Sequence, residues 1–545
     1  MSLHFDTIRE AVIGEGATIP GPFGPRSIIY ADYVASGRSI DFIEDAIRSH
    51  VLPFYGNTHT ETSFTGRRST QLRELARQTV RKAVGADEDH AVIFVGAGAT
   101  GAADKLVRAL SLQNLNNASI VFVGPYEHHS NDLIWRESGA QIVRIPLTDE
   151  GRICLKTLEE ELATHADAPL KIGAFSAASN VTGVRTDLRA IARLMHAQNG
   201  WCIADFAAAA PYIPVQLSAT NVDANDRIDA AFLSPHKYPG GPGASGILVA
   251  DRRILDSTRP TVTGGGTVSY VTATGHKYVS NPERREEAGT PSIVENIRAG
   301  MVLQLKLDMD EHEVERREQA MTTRLETALR AMPEIELLGP QDVARIGVFS
   351  FNIRVRGKLL HHNFVVALLN DLFGIQARGG CSCAGPYGHT LLNIDDATTL
   401  RHERAVALGH SAFRPGWARL GVNWFFNEKD VDNIAAALAF IVDRGLDMLP
   451  YYRLDLDGGV WRTERQFDDA CPASLSDLWN GDESDVSSAP SFATCMSDAT
   501  ALADAARDQP SPPSVVLLPE EEALRWFWMP QEAASINQAE MEQRA

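Results

Sequence analysis

Cysteine is scarce in this chain, six in 545 residues, which excludes a disulfide-built scaffold and fits a reducing compartment. Long apolar runs are missing too. The longest good one, Ile434 to Val442, is broken by Asp443 and Arg444, well short of the roughly 20 residues a membrane span requires. No basic run stands out against a formal charge of −19, and an acidic surface repels nucleic-acid phosphates and anionic lipid headgroups. The opening residues Met1 to Glu10 carry acids early and lack the apolar core of a secretion signal. These absences predict a soluble, cytoplasmic protein with no nucleic-acid or membrane partner.

What is present is apolar material, 44% of the residues, enough for several cores at about 100–200 residues per domain. Between residues 70 and 260 short β-rich runs alternate with helical stretches, the pattern of a helix-covered α/β sheet. The strand candidates are Ala91–Val95, Ser119–Val123, Gln141–Ile145, Leu170–Phe175, Trp201–Ala204, Asp229–Leu233 and Gly246–Val249. Helices are expected over Thr100–Leu110, Asn131–Ser138, Leu155–Ala163 and Leu188–Gln198. A helical region, Ser292 to Met332, leads into a second alternating segment ending near Arg444. Beyond Met448, the stretches Leu454–Gly459, Ser474–Ser497 and Gln509–Ser514 read as loop or linker, and Pro519–Pro530 as a short helix docked by its aromatics. No internal repeat is evident.

Ser234-Pro-His-Lys237 follows the apolar run Ala230–Leu233 and precedes a turn rich in Gly and Pro. A lone lysine at a strand end is ordinarily a solvated side chain. The neighbouring signals change that, because pyridoxal 5′-phosphate (PLP) needs a Schiff-base lysine, an acid for its pyridinium proton, a stacking group and a phosphate cradle. Asp205, at the end of the Trp201–Ala204 run, is the candidate acid, although an aspartate there also reads as a helix cap. Gly96-Ala-Gly-Ala-Thr-Gly101 opens a helix, so its N–H groups, with Ala99 and the Thr100 hydroxyl, can bind phosphate. It formally matches a dinucleotide-binding pattern, yet the first acid after the next strand, Glu127, comes late for a ribose contact. His128 can stack on a ring; a metal site is the weaker alternative, since adjacent His128 and His129 diverge and no third ligand is near in sequence. No metal is expected.

The ordered set Glu127-His128-His129, Ser179-Asn180-Val-Thr-Gly183, Asp205, Ser234-Pro-His236-Lys237, Glu287-Ala-Gly-Thr290-Pro291 and Arg378 to Ala384 resembles the class V aminotransferase family of fold-type I PLP enzymes. Within it the chain is most similar to the cysteine desulfurase and selenocysteine lyase branch, Suf type, over roughly residues 28 to 445. The resemblance implies a large mixed-sheet α/β domain over 31–295, a smaller α/β domain over 296–447, an N-terminal segment 1–30 and a partly loop-like extension 448–545. It implies that Lys237 carries the cofactor, His128 stacks on it and moves protons, Asn180 meets its phenolic oxygen and Asp205 its ring nitrogen. Thr100, Ser234 and His236 hold the phosphate, and Thr290 reaches the phosphate of a neighbouring subunit, making a homodimer. Arg419 grips the carboxylate of a small amino-acid substrate, with Arg378 and Asn180 nearby.

The cysteine loop separates the branches of the family. The family pattern places a cysteine five residues after the arginine and directly before alanine, which selects Cys383 over Cys381. Positive charge beside it favours the nucleophilic thiolate, which takes sulfur from the substrate as a persulfide and passes it to an acceptor protein. A CxC pair without a second cluster is a poor zinc site. Two features favour another class V reaction, an epimerase, aminotransferase or C–S lyase with Cys383 idle. Ala208 stands where desulfurases carry a cofactor-contacting glutamine, and the long tail after Met448 has no counterpart in compact desulfurases.

Overall fold

The computed structural model describes residues 4–533 apart from 59, 112, 221–222, 468–471, 481–487 and 511. Its centre is a seven-stranded sheet: β1 His90–Gly96, β2 Ile120–Val123, β3 Gln141–Arg144, β4 Lys171–Ser176, β5 Trp201–Asp205, β6 Ala230–Leu233 and β7 Gly246–Asp251. Their order is β1-β7-β6-β5-β4-β2-β3, parallel throughout except for β7, which runs antiparallel to both neighbours. All seven expected strands and all four expected helices are present, with ends moved by a residue or two.

The strands show why they are strands. Successive side chains point to opposite faces, and both faces are apolar: Ala91 and Ile93 join the core under the helix Gly98–Ser111, whereas Val92 and Phe94 join the larger core on the other side. Burial on both sides is what a largely parallel sheet requires. The carboxyl ends of β1, β2, β4, β5 and β6 all open on one edge, where open α/β sheets bind ligands.

A second sheet follows: β8 Ile335–Leu337, β9 Val348–Val355, β10 Arg378–Gly380 and β11 Trp417–Gly421, ordered β8-β9-β11-β10 and antiparallel. In the β10–β11 register Arg378 stands opposite Arg419. The stretch Ile29–Tyr30 runs parallel to Ile375–Gln376, and the Ala31 carbonyl accepts from Gly421 N–H at 2.7 Å. The N-terminal segment is thereby stitched into the smaller unit.

The tail is more ordered than its composition predicts. Leu454–Gly459, expected as loop, lies in a hairpin of Tyr452–Asp455 with Val460–Thr463. Ser474–Ser497, expected as linker apart from 481–487, which fall outside the described residues, ends inside a helix, Phe492–Ala505. Ser491 caps that helix, and Cys495, Ala499 and Ala503 form its buried stripe. Small residues at i, i+4 and i+8 suffice where the helix lies close to its support, and Ser/Asp richness hid them. Pro519–Glu522 is a single helical turn. The aromatics beyond it dock in extended form: Phe527 is fully buried and bridges to Leu359, while Trp526 stacks on His361 at 5.4 Å. Replacing Phe527 with alanine is expected to cost about 3–5 kcal/mol, measured by urea unfolding; a loss under 1 kcal/mol would show that the tail is not part of the core.

Candidate functional site

The strand ends enclose a cavity of about 270 Å³. Each loop supplies a different group. After β1, Gly98 sits in the left-handed region (φ +59) and a side chain there would reach within 3.4 Å of Ser234 Oγ, so the helix N-terminus is bare toward the cavity. Ala99 N–H donates to Ser234 Oγ at 3.0 Å, and the Thr100 and Ser130 hydroxyls pair at 2.7 Å. Thr100, Ser234 and His236 line this end with no carboxylate among them. A helix N-terminus flanked by hydroxyls binds a phosphate.

After β2, His128 caps the helix His129–Arg136, its Nδ1 accepting from Ser130 N–H at 3.1 Å. That bond puts the ring proton on Nε2. Burial, then the positive charge of Lys237, lowers its pKa to about 4, so the imidazole is neutral. His236 is lowered to about 4 for the same two reasons. At the end of β5, Asp205 is buried and accepts from Ala207 N–H at 2.8 Å; burial raises its pKa, opposed by that bond and by Lys237. The helix-cap alternative for Asp205 fails, because the residues after it form turns. Lys237, in a single helical turn Pro235–Lys237 beyond β6, is lowered to about 8 by burial, with Asp205 pulling the other way.

The smaller unit supplies the cavity's opposite wall. Arg419 is buried; its Nη1 donates to the Asn180 carbonyl at 3.1 Å and its Nη2 to Asp32 at 3.0 Å. Arg378 Nε reaches the other oxygen of Asp32 at 2.9 Å. Cys383 is exposed at the cavity mouth, where Ser382 (φ 51) and Cys383 (φ 55) both adopt the left-handed conformation. Such a pair costs roughly 1–2 kcal/mol per residue and is held by three bonds: Asn180 Nδ2 to the Ser382 carbonyl (2.8 Å), His129 N–H to the Cys383 carbonyl (3.0 Å) and Gly385 N–H to His129 Nε2 (3.2 Å). Cys381 does not line the cavity.

Of the residues singled out in the sequence, Ala99, Thr100, His128, Asn180, Asp205, Ser234, His236, Lys237, Arg378, Cys383 and Arg419 line this one cavity, and so does Ala208. Thr290 does not; it is exposed and its hydroxyl accepts from Asn57 at 3.5 Å. Sequence reasoning missed Asp32 and Ser130, and named Glu127 only within a motif, without its role. Glu127 is buried below Ser176, from which it accepts two hydrogen bonds at 2.9 and 2.6 Å, and burial raises it to about 7. An acid inside the apolar stretch Ile28 to Val34 was the available signal for Asp32.

This arrangement fits a phosphorylated, cationic-ring cofactor. The Oδ1 of Asn180 and Nε of Arg419 are buried without partners among the described residues, which is costly unless a ligand satisfies them. A ring N–H⁺ against Asp205 would supply the charge that burial withholds.

The fold class and the site define a fold-type I PLP enzyme. The chain belongs to the class-V aminotransferase family, whose model matches residues 29–433, and PLP is its cofactor. A probable cysteine desulfurase from Pyrococcus abyssi is 28% identical over 66% of this chain and 86% of its own length. A probable cysteine desulfurase from Halalkalibacterium halodurans is 26% identical over 66% and 84%. Among solved structures, an apo cysteine desulfurase from Thermococcus onnurineus shares the fold with a TM-score of 0.64 at 24% identity, over 76% of this chain and 95% of that one. A cysteine desulfurase from Escherichia coli does so with a TM-score of 0.62 at 22% identity, over 81% and 99%. Among the described residues no helix is long and apolar enough to cross a membrane, and no group of His, Cys, Asp and Glu forms a metal site.

The burial of His128 carries a testable sign. A histidine whose folded pKa lies at about 4 and unfolded near 6.5 takes up a proton only on unfolding, so it withdraws stability as pH falls from about 6.5 toward 4. In ring-nitrogen NMR of the folded protein, His128 is expected to stay the neutral Nε2–H tautomer down to pH 5; a cationic ring at pH 6 would contradict this.

Proposed function

We propose that this chain is a PLP-dependent cysteine desulfurase that converts L-cysteine, or L-selenocysteine, to L-alanine and retains the chalcogen on Cys383 as a persulfide. The observation that carries the reading is the convergence of Cys383, Lys237 and the Arg419 guanidinium on one cavity. Relatives named as cysteine desulfurases at 26–28% identity support it.

When bound, PLP supplies an electron sink that makes the substrate's Cα proton acidic. Lys237 would hold it, Asp205 would keep its ring nitrogen protonated, and Ala99, Thr100, Ser234 and His236 would receive its phosphate. His128, with its Nε2 carrying the ring proton, would face the cofactor ring and would be the group to move protons there. Arg419 grips the substrate carboxylate with its unpartnered Nε edge. Lys237, poised near neutrality, exchanges a proton with the substrate's α-carbon and amine. With alanine at position 208, the contact with the phenolic oxygen would fall to Asn180, whose amide has a second N–H to offer beside the one spent on Ser382.

Cys383 then acts as nucleophile. Its thiolate attacks the substrate sulfur, an S–S bond forms and the Cβ–S bond breaks. The electron pair left on carbon takes up a proton and becomes the C–H bond of alanine's methyl. Arg378, five residues away, lines the same cavity. The exposed persulfide is passed to an acceptor protein, in a reducing cytoplasm where the thiols described here stay free. The enzyme works as a homodimer. Thr290 faces outward beside an exposed apolar face that includes Phe54, Tyr55 and Phe64, which a second copy covers so that Thr290 meets its neighbour's phosphate. The segments 1–30, 31–295, 296–447 and 448–545 serve as N-terminal segment, cofactor domain, smaller domain with the cysteine loop, and extension.

The holoenzyme is expected to be yellow and Lys237→Ala to lose that absorbance. Given L-cysteine, the wild type should release alanine and gain one sulfur atom on the Cys383 peptide by mass mapping. Cys383→Ser should lose both, with turnover falling on the order of 10²-fold or more. Undiminished alanine release by Cys383→Ser would refute the persulfide route.

A further inference from the structure

Two arginines face the substrate end of the cavity, and one buried carboxylate serves both. Asp32 Oδ1 accepts from Arg419 Nη2 at 3.0 Å and its Oδ2 from Arg378 Nε at 2.9 Å. Asp32 is 7% exposed and Arg419 4%, while the Arg378 side chain is 55% exposed toward the mouth. Counting only these three groups, two positive charges and one negative leave a single positive charge. That surplus belongs to the pair, and within it the buried Nε of Arg419 is a donor still without a partner among the described residues. The Arg378 guanidinium shares the same carboxylate through its Nε, so Asp32 offsets one charge of the pair.

We infer that Asp32 is the specificity-determining residue of this site: by offsetting one charge of the arginine pair, it restricts the cavity to amino acids with a single carboxylate and turns away those with an acidic side chain. The inference rests on the reading of Arg419 as the carboxylate grip and deepens it. A dicarboxylic amino acid would bring its second negative charge to the mouth beside Arg378, where Asp32 meets it with like charge at short range. In a partly buried site such repulsion is screened far less than in water. An isosteric amide at position 32 removes the repulsion and frees Arg378 to pair with the second carboxylate. The Asp32 carboxylate is hydrogen-bonded to the two arginines and does not line the cavity, so it is a positioning residue, and its second effect is orientation. Its two oxygens fix both guanidinium planes, as only a carboxylate of this reach can.

The placement of Asp32 is itself well determined. Ala31 is bonded on one side to the Gln376 carbonyl (3.0 Å) and on the other to Gly421 N–H (2.7 Å). Residues 36 and 37 continue to the His236 carbonyl, beside Lys237, with Gly37 N–H donating at 2.8 Å. The strap that carries Asp32 thus spans the arginine pair and the lysine loop.

The test compares the holoenzyme with Asp32→Asn and Asp32→Glu, each checked for an unchanged melting temperature. Calorimetry measures binding of L-alanine, one carboxylate, and L-aspartate, two. The wild type is expected to favour alanine, and Asp32→Asn to shift the ratio of dissociation constants toward aspartate by about tenfold or more; Asp32→Glu, which keeps the charge, should retain the wild-type preference. An unchanged ratio in Asp32→Asn overturns the inference, since lost packing alone would weaken both ligands alike. A wild type that binds neither amino acid overturns it together with the carboxylate role of Arg419. A wild type that shows the expected ratios yet releases no alanine from L-cysteine supports the inference and sinks only the desulfurase reading.

Discussion

Lys237 is held in a place where its charged form is disfavoured, and much of the large sheet exists to make that tolerable. A desolvated amine loses its hydration, which draws its pKa down to about 8, and only a nearby anion limits the fall. Asp205 is that anion, yet it is buried too, so each charge depends on the other and on whatever cation binds beside the aspartate. The neighbours are accordingly neutral. His128 and His236 are both held near pKa 4, and the helix N-terminus after β1 contributes partial charge without a titrating group. An anionic phosphate at that end and a cationic ring at the other complete a charge pattern the protein leaves half-written.

The substrate wall obeys the same constraint with different parts. Arg419 is buried more deeply than Lys237 and cannot lose its proton, so it needs a carboxylate in the resting site. Asp32 provides it from the N-terminal strap while leaving Nε for a ligand. Because the strap is bonded both to the second sheet and to the Lys237 loop, a shift of the smaller unit would be felt at both catalytic ends. The strained Ser382–Cys383 turn is bound to Asn180 and His129, residues of the large unit. Cysteine loop and arginine pair are therefore registered against the cofactor end by bonds crossing between the two units.

What was legible in the sequence was local. The strands are short apolar runs, and the groups at their carboxyl ends lie within a few residues of the run that positions them, so Lys237, Asp205, His128 and Thr100 could be found by their company. Asp32 could not, because its partners lie 346 and 387 residues away and nothing near it signals a charge pair. Glu127 was quoted as part of a motif, but its role under Ser176 depends on how β2 and β4 pair. The tail failed for a compositional reason: serine and aspartate mark loops on average, whereas Phe492–Ala505 is a helix because its buried positions need only cysteine and alanine.

That tail bears on access to the site. None of the residues lining the cavity comes from beyond Arg419, and the extension spends its bonds elsewhere: Tyr452 on Asp371, Lys358 on Glu532, Arg444 on Asp504, and Trp526 and Phe527 on His361. All these partners belong to the smaller unit's outer side. Among the described residues, then, the extension does not cap the active site of its own chain; it enlarges the core behind β9 and the helix His362–Phe373. Cys383 stays exposed at the mouth, and among the described residues the acid hydrogen-bonded to the arginines there is Asp32. The mouth is thus lined by the cysteine turn and the arginine pair, while the extension packs behind the wall from which Arg378 and Arg419 project.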